Sequence, residues 1–165
     1  MRARLLNLTG IILVAGVILL VTPLTVPKLF GYRIYGILTG SMEPEYPAGS
    51  VVYVRETAFE DIRVGDTITF RMGNGTDLVG THRVAGIDTE TQQFITKGDA
   101  NRSEDVAPVS YSSVIGRVVF GIPLLGKFSS VLHSTAGILA CAGIFALAIL
   151  LWWAAEKMKK KENAK

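Results

Sequence analysis

Long apolar stretches lie near both ends of the chain and flank a polar middle. Residues 5–21 and 131–155 carry no charged side chain, whereas nearly all acidic residues fall between Glu43 and Asp105. A bilayer core needs about 20 mainly apolar residues, with roughly 17 as the lower limit, and both stretches reach that length. The pattern therefore predicts two transmembrane helices, one on each side of the polar middle.

The first apolar stretch has two interpretations, a cleavable signal peptide or an uncleaved anchor. It is followed by Thr-Pro-Leu-Thr-Val-Pro-Lys at residues 22–28, which contains no small-residue site of the Ala-x-Ala kind. The anchor is therefore favoured. Pro23 and Pro27 are predicted to end its helix, because proline lacks a backbone N–H donor.

Basic residues flank both apolar stretches on their outer sides. Arg2 and Arg4 precede the first, and five lysines follow the second between Lys157 and Lys165. Since positive charge favours the cytoplasmic side, both termini are predicted to be cytoplasmic and the middle extracytoplasmic. The net charge of +3 is thus explained by basic residues at a membrane surface, and the expected partner of the chain is a lipid bilayer and not nucleic acid. The expected location is a cell membrane that the chain crosses more than once, or the endoplasmic reticulum membrane in a eukaryote.

The polar middle contains short segments rich in β-branched and aromatic residues. They are separated by turn residues such as Pro47-Ala48-Gly49 and Gly73-Asn74-Gly75. Without a helical period between them, such segments predict a mainly β domain of antiparallel sheets folded as a small sandwich or barrel. The predicted strands are 51–54, 67–70, 78–84, 94–96 and 115–120.

The expected organisation has four parts. An N-terminal transmembrane anchor covers residues 1–28, and an extracytoplasmic β-rich domain covers residues 29–130. A C-terminal transmembrane helix covers residues 131–156, and a basic cytoplasmic tail covers residues 157–165.

One serine lies in a turn punctuated by glycine and proline. Ser41 is preceded by Gly40 and followed by Met42-Glu43-Pro44. A serine becomes a nucleophile when a base accepts its proton and when donors, here including its own N–H, stabilise the oxyanion. Taken alone, such a serine is more often an ordinary turn residue.

The polar middle also offers a base and a carboxylate. His82 is its only histidine, and imidazole is suited to accept a proton at neutral pH. A carboxylate that orients the imidazole would complete a Ser-His-Asp set, and Asp99 and Asp105 are the candidates. Sequence spacing leaves open which of them lies near His82.

Four ordered blocks resemble type I signal peptidases, and the resemblance extends over residues 38–119. They are Thr-Gly-Ser-Met-Glu-Pro at 39–44, Gly-Asp-Thr-Ile-Thr-Phe at 65–70, Thr-His-Arg-Val at 81–84 and Thr-Lys-Gly-Asp-Ala-Asn at 96–101. In the bacterial branch of the family a lysine serves as the base. The histidine in the third block is similar to the endoplasmic-reticulum, archaeal and spore-former type, which implies Ser-His-Asp in place of Ser-Lys.

The resemblance implies a role for each residue. Ser41 would be the nucleophile and His82 the general base, with Asp105 as its partner and Asp99 as a supporting carboxylate. The oxyanion hole would be formed by the N–H of Ser41, and Thr39 matches a position where some relatives carry an assisting hydroxyl. Neither a metal nor an organic cofactor is implied.

The resulting hypothesis is a membrane-anchored serine endopeptidase that cleaves signal peptides from exported pre-proteins at the outer face of the membrane. Its expected partners are secretory pre-proteins and the bilayer, with accessory membrane subunits as further candidates. The alternative is a non-enzymatic two-span membrane subunit whose extracytoplasmic β-domain serves assembly or adhesion. On that alternative, the serine, histidine and aspartate would be a coincidence.

Overall fold

A computed structural model describes residues 2–73 and 78–163 of the chain. The described residues divide into two compact units. A β-rich unit spans Pro27–Phe128, and a helical unit contains the segments up to Val26 and from Ser129 onward.

The helices of the described residues are α1 (Arg2–Leu29), α2 (Leu125–His133) and α3 (Thr135–Asn163). Two helical segments, Arg4–Leu29 and Thr135–Lys160, are each 26 residues long and apolar enough to cross a membrane. Their side chains are largely exposed, unlike those of a helix in the core of a soluble domain. The prediction of two long apolar helices flanking a β domain is confirmed. Most of the predicted basic tail continues α3, and its last two residues lie outside the described part.

The prediction that Pro23 and Pro27 end the first helix is wrong, because α1 continues through both to Leu29. Each proline removes only one backbone donor. A helix end at Pro23 would place the unpaired carbonyl groups of the last turn within the apolar stretch, where an unpaired polar group is costly, whereas an end at Leu29 places them beyond it. The hydroxyls of Thr22 and Thr25 also donate hydrogen bonds to carbonyls one turn earlier, at 2.6 and 3.0 Å.

The described residues of the β-rich unit form an antiparallel sheet whose strand order is β1-β2-β7-β3-β4-β5-β6. The mainly β antiparallel fold predicted from the sequence is confirmed. Two short edge strands, β1 and β6, were not among the predicted strands, and the predicted turn at Gly73-Asn74-Gly75 lies partly outside the described residues. The strands are β1 (Tyr32–Gly36), β2 (Val51–Arg55), β3 (Thr67–Arg71), β4 (Val79–Asp88), β5 (Gln93–Lys97), β6 (Val109–Ser110) and β7 (Val114–Ile122).

Two clusters of buried apolar side chains stabilise the sheet. Burial of such side chains is worth roughly 1.5–3 kcal/mol each, so these clusters hold the strands that carry the polar site. The first cluster contains Phe59, Ile62, Ile68, Phe70, Val84, Phe94 and Val109. The second contains Ile37, Val52, Val54, Ile115 and Val118.

Candidate active site

Ser41 lies in a single 3₁₀ turn, Gly40–Met42, that follows β1. The next side chain, Met42, is completely buried and anchors the turn to the domain. The carbonyl oxygen of Ser41 accepts a hydrogen bond of 2.9 Å from the N–H of Ala100. Burial on one side and this backbone bond on the other hold the serine in a defined position.

His82 lies within strand β4, where it pairs with Ile68 of the neighbouring strand β3. The predicted strand at residues 78–84 contains His82, and β4 continues beyond it to Asp88. The Phe70 ring and the imidazole form a T-shaped pair, with their planes at 70° and their centroids 6.3 Å apart. The histidine is thus held by rigid secondary structure, while the serine opposite it lies on a short turn.

The imidazole joins Ser41 to Asp105. Its Nε2 atom lies 3.2 Å from the Ser41 hydroxyl oxygen, and its Nδ1 atom lies 2.5 Å from Oδ2 of Asp105. An ionised carboxylate only accepts hydrogen bonds, so Nδ1 carries the proton in the neutral ring and Nε2 presents its lone pair to the serine. This arrangement allows the imidazole to accept the proton of the serine hydroxyl.

The histidine and the aspartate are partly shielded from water. Their side chains are 18% and 25% exposed, respectively. Because the effective dielectric constant falls with burial, the hydrogen bond between them is stronger than it would be on an open surface. The attraction would grow further when the imidazole becomes positively charged.

Asp99 contacts Arg83 and not the histidine. Its two oxygens accept hydrogen bonds of 2.8 and 2.7 Å from Nε and Nη2 of Arg83. The same guanidinium donates to Glu45 at 2.8 Å and to the carbonyl of Gly65 at 2.7 Å. The hydrogen bonds to Asp99 raise the pKa of Arg83 above its ordinary value, so the arginine keeps its charge at every relevant pH.

Thr39, the other residue predicted for the oxyanion hole, lies beside the serine. Its Oγ1 atom is 3.3 Å from the hydroxyl oxygen of Ser41. With the serine proton directed to the histidine, the Thr39 hydroxyl is the donor in this contact. A hydroxyl at this distance can turn towards negative charge that develops next to the serine.

An open cleft of about 1180 Å³ begins at these residues. Residues 35–39, 70–73, 79–82 and 100–110 line it. Leu38 is 91% exposed and leaves an apolar side chain at the border of the cleft, whereas Val52 and Tyr53 are fully buried in the domain. In the described part of the chain, His, Cys, Asp and Glu side chains do not form a group of three that could hold a metal ion.

Sequence reasoning did not single out several residues of the site. Thr96 donates to Asp105, and Arg83 and Glu45 join Asp99 in one ion-pair cluster. Thr96 and Arg83 occur inside the blocks that carry the family resemblance. Their position in those blocks was the signal that could have identified them.

Gly98 provides space for the turn that carries Ser41, and we expect its replacement to move this turn. A Cβ atom there would lie 2.7 Å from the carbonyl oxygen of Ser41 and 2.8 Å from the amide nitrogen of Asn101. The Gly98→Ala variant must therefore displace Ser41, and a displacement of about 1 Å can lower kcat roughly 100-fold. Rate measurements on the purified variant, compared with the parent, test this expectation.

The Gly86→Ala variant is the matched control. Its Cβ would meet the flexible end of Ile95 at 3.3 Å, a contact that the side chain can relieve. We expect its kcat to stay within about threefold of the parent. A Gly98→Ala variant as active as this control would contradict the packing argument.

No family model matches the chain. The chain is 42% identical over 91 residues to signal peptidase I W of Bacillus subtilis (strain 168). The aligned region covers 53% of this chain and 47% of that protein. It is 27% identical over 107 residues to the human signal peptidase complex catalytic subunit SEC11C, with coverage of 59% and 55%.

A third relative is the signal peptidase complex catalytic subunit SEC11 of Ogataea parapolymorpha, which is 29% identical over 109 residues, with coverage of 54% of this chain and 61% of the relative. The chain spans about half the length of the curated relatives it matches. The resemblance predicted from the four sequence blocks is confirmed, and over this region the chain is similar to type I signal peptidases.

Proposed function

We propose that the protein is a membrane-anchored serine endopeptidase that removes signal peptides from exported pre-proteins. The observation that carries the proposal is the contact series Ser41–His82–Asp105, with distances of 3.2 and 2.5 Å. A serine, an imidazole and a carboxylate in this order are the parts needed for acyl transfer. The relatives, whose names state signal peptidase activity, indicate the substrate class.

In the first half of the proposed reaction, Ser41 forms an acyl-enzyme. The hydroxyl oxygen attacks the scissile carbonyl carbon while Nε2 of His82 accepts its proton. Collapse of the tetrahedral intermediate breaks the C–N bond, and the imidazolium returns the proton to the leaving amine. Asp105 stabilises the imidazolium during this step.

In the second half, water releases the signal peptide. His82 accepts a proton from the water molecule, the resulting hydroxide attacks the ester carbonyl, and the proton returns to Ser41. The oxyanion forms twice, and each time the N–H of Ser41 and the hydroxyl of Thr39 are the proposed donors. The contact of 3.3 Å between Thr39 and the serine oxygen supports the second donor.

The proposed topology has both termini in the cytoplasm and the catalytic domain on the outer side. Basic residues on the outer flanks of both apolar helices support it. A signal peptide that crosses the membrane exposes its cleavage site at the outer surface. An enzyme confined to that surface meets the site at a high effective concentration.

Accessory membrane subunits belong to the same proposal. Two of the relatives are named as catalytic subunits of a signal peptidase complex, whereas the Bacillus relative is named as a signal peptidase by itself. Activity of the isolated chain would indicate that it resembles the Bacillus relative in this respect.

Reconstitution tests the activity directly. The full chain is inserted into lipid vesicles, mixed with a secretory pre-protein, and the products are identified by mass spectrometry. We expect a single cut at the end of the signal peptide, and vesicles without the protein serve as the control. A non-enzymatic assembly subunit would leave the pre-protein intact. The proposal would be overturned if the pre-protein stays uncut with the protein alone and also after membrane extract from the same source is added.

A histidine base makes the proposed activity dependent on pH. Only the neutral imidazole can accept the serine proton, and histidine side chains generally change charge between about pH 5 and pH 8. The kcat/KM for pre-protein cleavage should therefore be low in acid and rise as the pH is raised through this interval. A profile that stays flat across the whole interval would argue against His82 as the base.

A further inference from the structure

Thr96 is a buried residue of β5 with two hydrogen bonds to one partner. Its hydroxyl donates to Oδ2 of Asp105 at 2.7 Å, and its carbonyl oxygen accepts from the N–H of Asp105 at 2.8 Å. The residue is fully buried, at 0% exposure. The oxygen that receives the threonine hydroxyl is the same one that receives Nδ1 of His82.

Asp105 needs such a partner because it lies between strands. It falls in the segment between β5, which ends at Lys97, and β6, which begins at Val109. A residue outside a strand has fewer neighbours to restrict its backbone and its side-chain rotamer. The backbone bond from Asp105 to Thr96 holds the main chain, and the hydroxyl bond selects the orientation of the carboxylate.

We propose that Thr96 is a positioning residue that holds the Asp105 carboxylate in the orientation that His82 requires. The inference rests on the proposed function and adds a residue to its machinery. Thr96 acts through Asp105 and does not touch the reacting atoms. Without the hydroxyl of Thr96, the carboxylate can rotate away from Nδ1 of His82. A smaller fraction of the imidazole then carries its proton on Nδ1 and presents the lone pair of Nε2 to Ser41.

A purely structural role for Thr96 leads to different expectations. A buried hydroxyl with a partner contributes to stability, and its removal would lower the free energy of unfolding wherever it lies. Such a loss would lower the amount of folded protein but not the kcat of the folded fraction. Kinetics normalised to folded protein therefore separate the two roles.

Two variants at Thr96 test the proposal. Thr96→Val keeps the shape but removes the donor, and Thr96→Ser keeps the hydroxyl. We expect Thr96→Val to lower kcat about tenfold with KM changed less than about twofold, because the loss acts on the chemical step. Thr96→Ser should restore kcat to within about threefold of the parent.

Thr67 supplies a matched control in the same sheet. It is a threonine of β3 that is 4% exposed, and its hydroxyl has no hydrogen-bond partner among the described residues. Thr67→Val makes the same chemical change without affecting Asp105. We expect its kcat to match that of the parent.

A double variant tests whether the effect passes through the carboxylate. In the Asp105→Asn background, addition of Thr96→Val should change kcat by less than about twofold, because residues that act as one unit are not additive. The ¹⁵N shifts of the imidazole in the full chain give a direct second measurement, and we expect a smaller Nδ1–H population in Thr96→Val than in Thr67→Val.

Three outcomes would overturn the positioning role: parent kcat in Thr96→Val, an equal loss in Thr67→Val, or a full additional tenfold loss in the Asp105→Asn background. Each requires a parent that cleaves the pre-protein. A parent that cleaves nothing would overturn the proposed function instead, so the two failures are distinct. In that case an unchanged tautomer population in Thr96→Val would show separately that the hydroxyl does not orient the pair.

Discussion

Replacement of Ser41 or of His82 by alanine should each lower kcat by about 10⁵- to 10⁶-fold. The Ser41→Ala variant has no oxygen to form the acyl-enzyme. The His82→Ala variant keeps the hydroxyl but has no atom 3.2 Å away to accept its proton. Because the two groups act in one step, the double variant should be no slower than either single variant. Residual cleavage would come from substrate positioning and the oxyanion donors alone.

The expected losses of kcat are measured as the rate of pre-protein cleavage in vesicles under single-turnover conditions. Ser112→Ala, at an exposed serine between β6 and β7, serves as a matched control. It should cleave at close to the parent rate. If Ser41→Ala and His82→Ala cleave as well as the parent does, the serine protease mechanism is wrong.

The second large effect is expected at Asp105. Asp105→Asn keeps the shape of the side chain but removes the charge that stabilises the imidazolium, and an amide can hold the ring in the wrong tautomer. We expect kcat to fall by about 10³- to 10⁴-fold. The hydrogen bond of 2.5 Å between Asp105 and Nδ1 carries this expectation.

Asp99→Asn makes the same chemical change six residues earlier and should cost much less. Asp99 bonds to Arg83, which directly follows His82 in β4 and also contacts Glu45. Loss of its charge weakens one ion pair near the site, and Glu45 remains as a partner of the arginine. A loss of about tenfold is expected.

The two asparagine variants serve as controls for each other in one assay. A ratio of their rates near 1 would contradict the separate roles assigned to the two aspartates. A greater loss for Asp99→Asn would reverse them. Unfolding measurements on both variants exclude a difference that arises from the amount of folded protein.

The amino-acid sequence by itself determined the two long apolar helices and the β content of the middle, and it selected Ser41 and His82 as the candidate nucleophile and base. The length of an apolar stretch and the presence of segments rich in β-branched and aromatic residues are local properties, so they can be recognised without knowledge of distant contacts. Ser41 and His82 could be selected because the blocks around them resemble a known family and because the polar middle contains a single histidine.

The tertiary structure decided which groups meet. Asp99 and Asp105 lie in the same loop region, and sequence spacing left open which of them lies near His82. Their partners depend on the register between β4 and β5, which pairs Arg83 with Lys97 and Val84 with Thr96. In that register the loop after β5 brings Asp99 to Arg83 and Asp105 to His82.

The role inferred for Thr96 and the course of α1 also required the structure. A threonine in a strand is common, and only its burial next to Asp105 distinguishes Thr96 from Thr67. Proline usually ends a helix, yet α1 continues through Pro23. In both cases the sequence determined only the local preference. The outcome depended on the groups that the fold brings near Thr96 and on the apolar surroundings of α1, because hydrogen bonds and burial depend on distances in space.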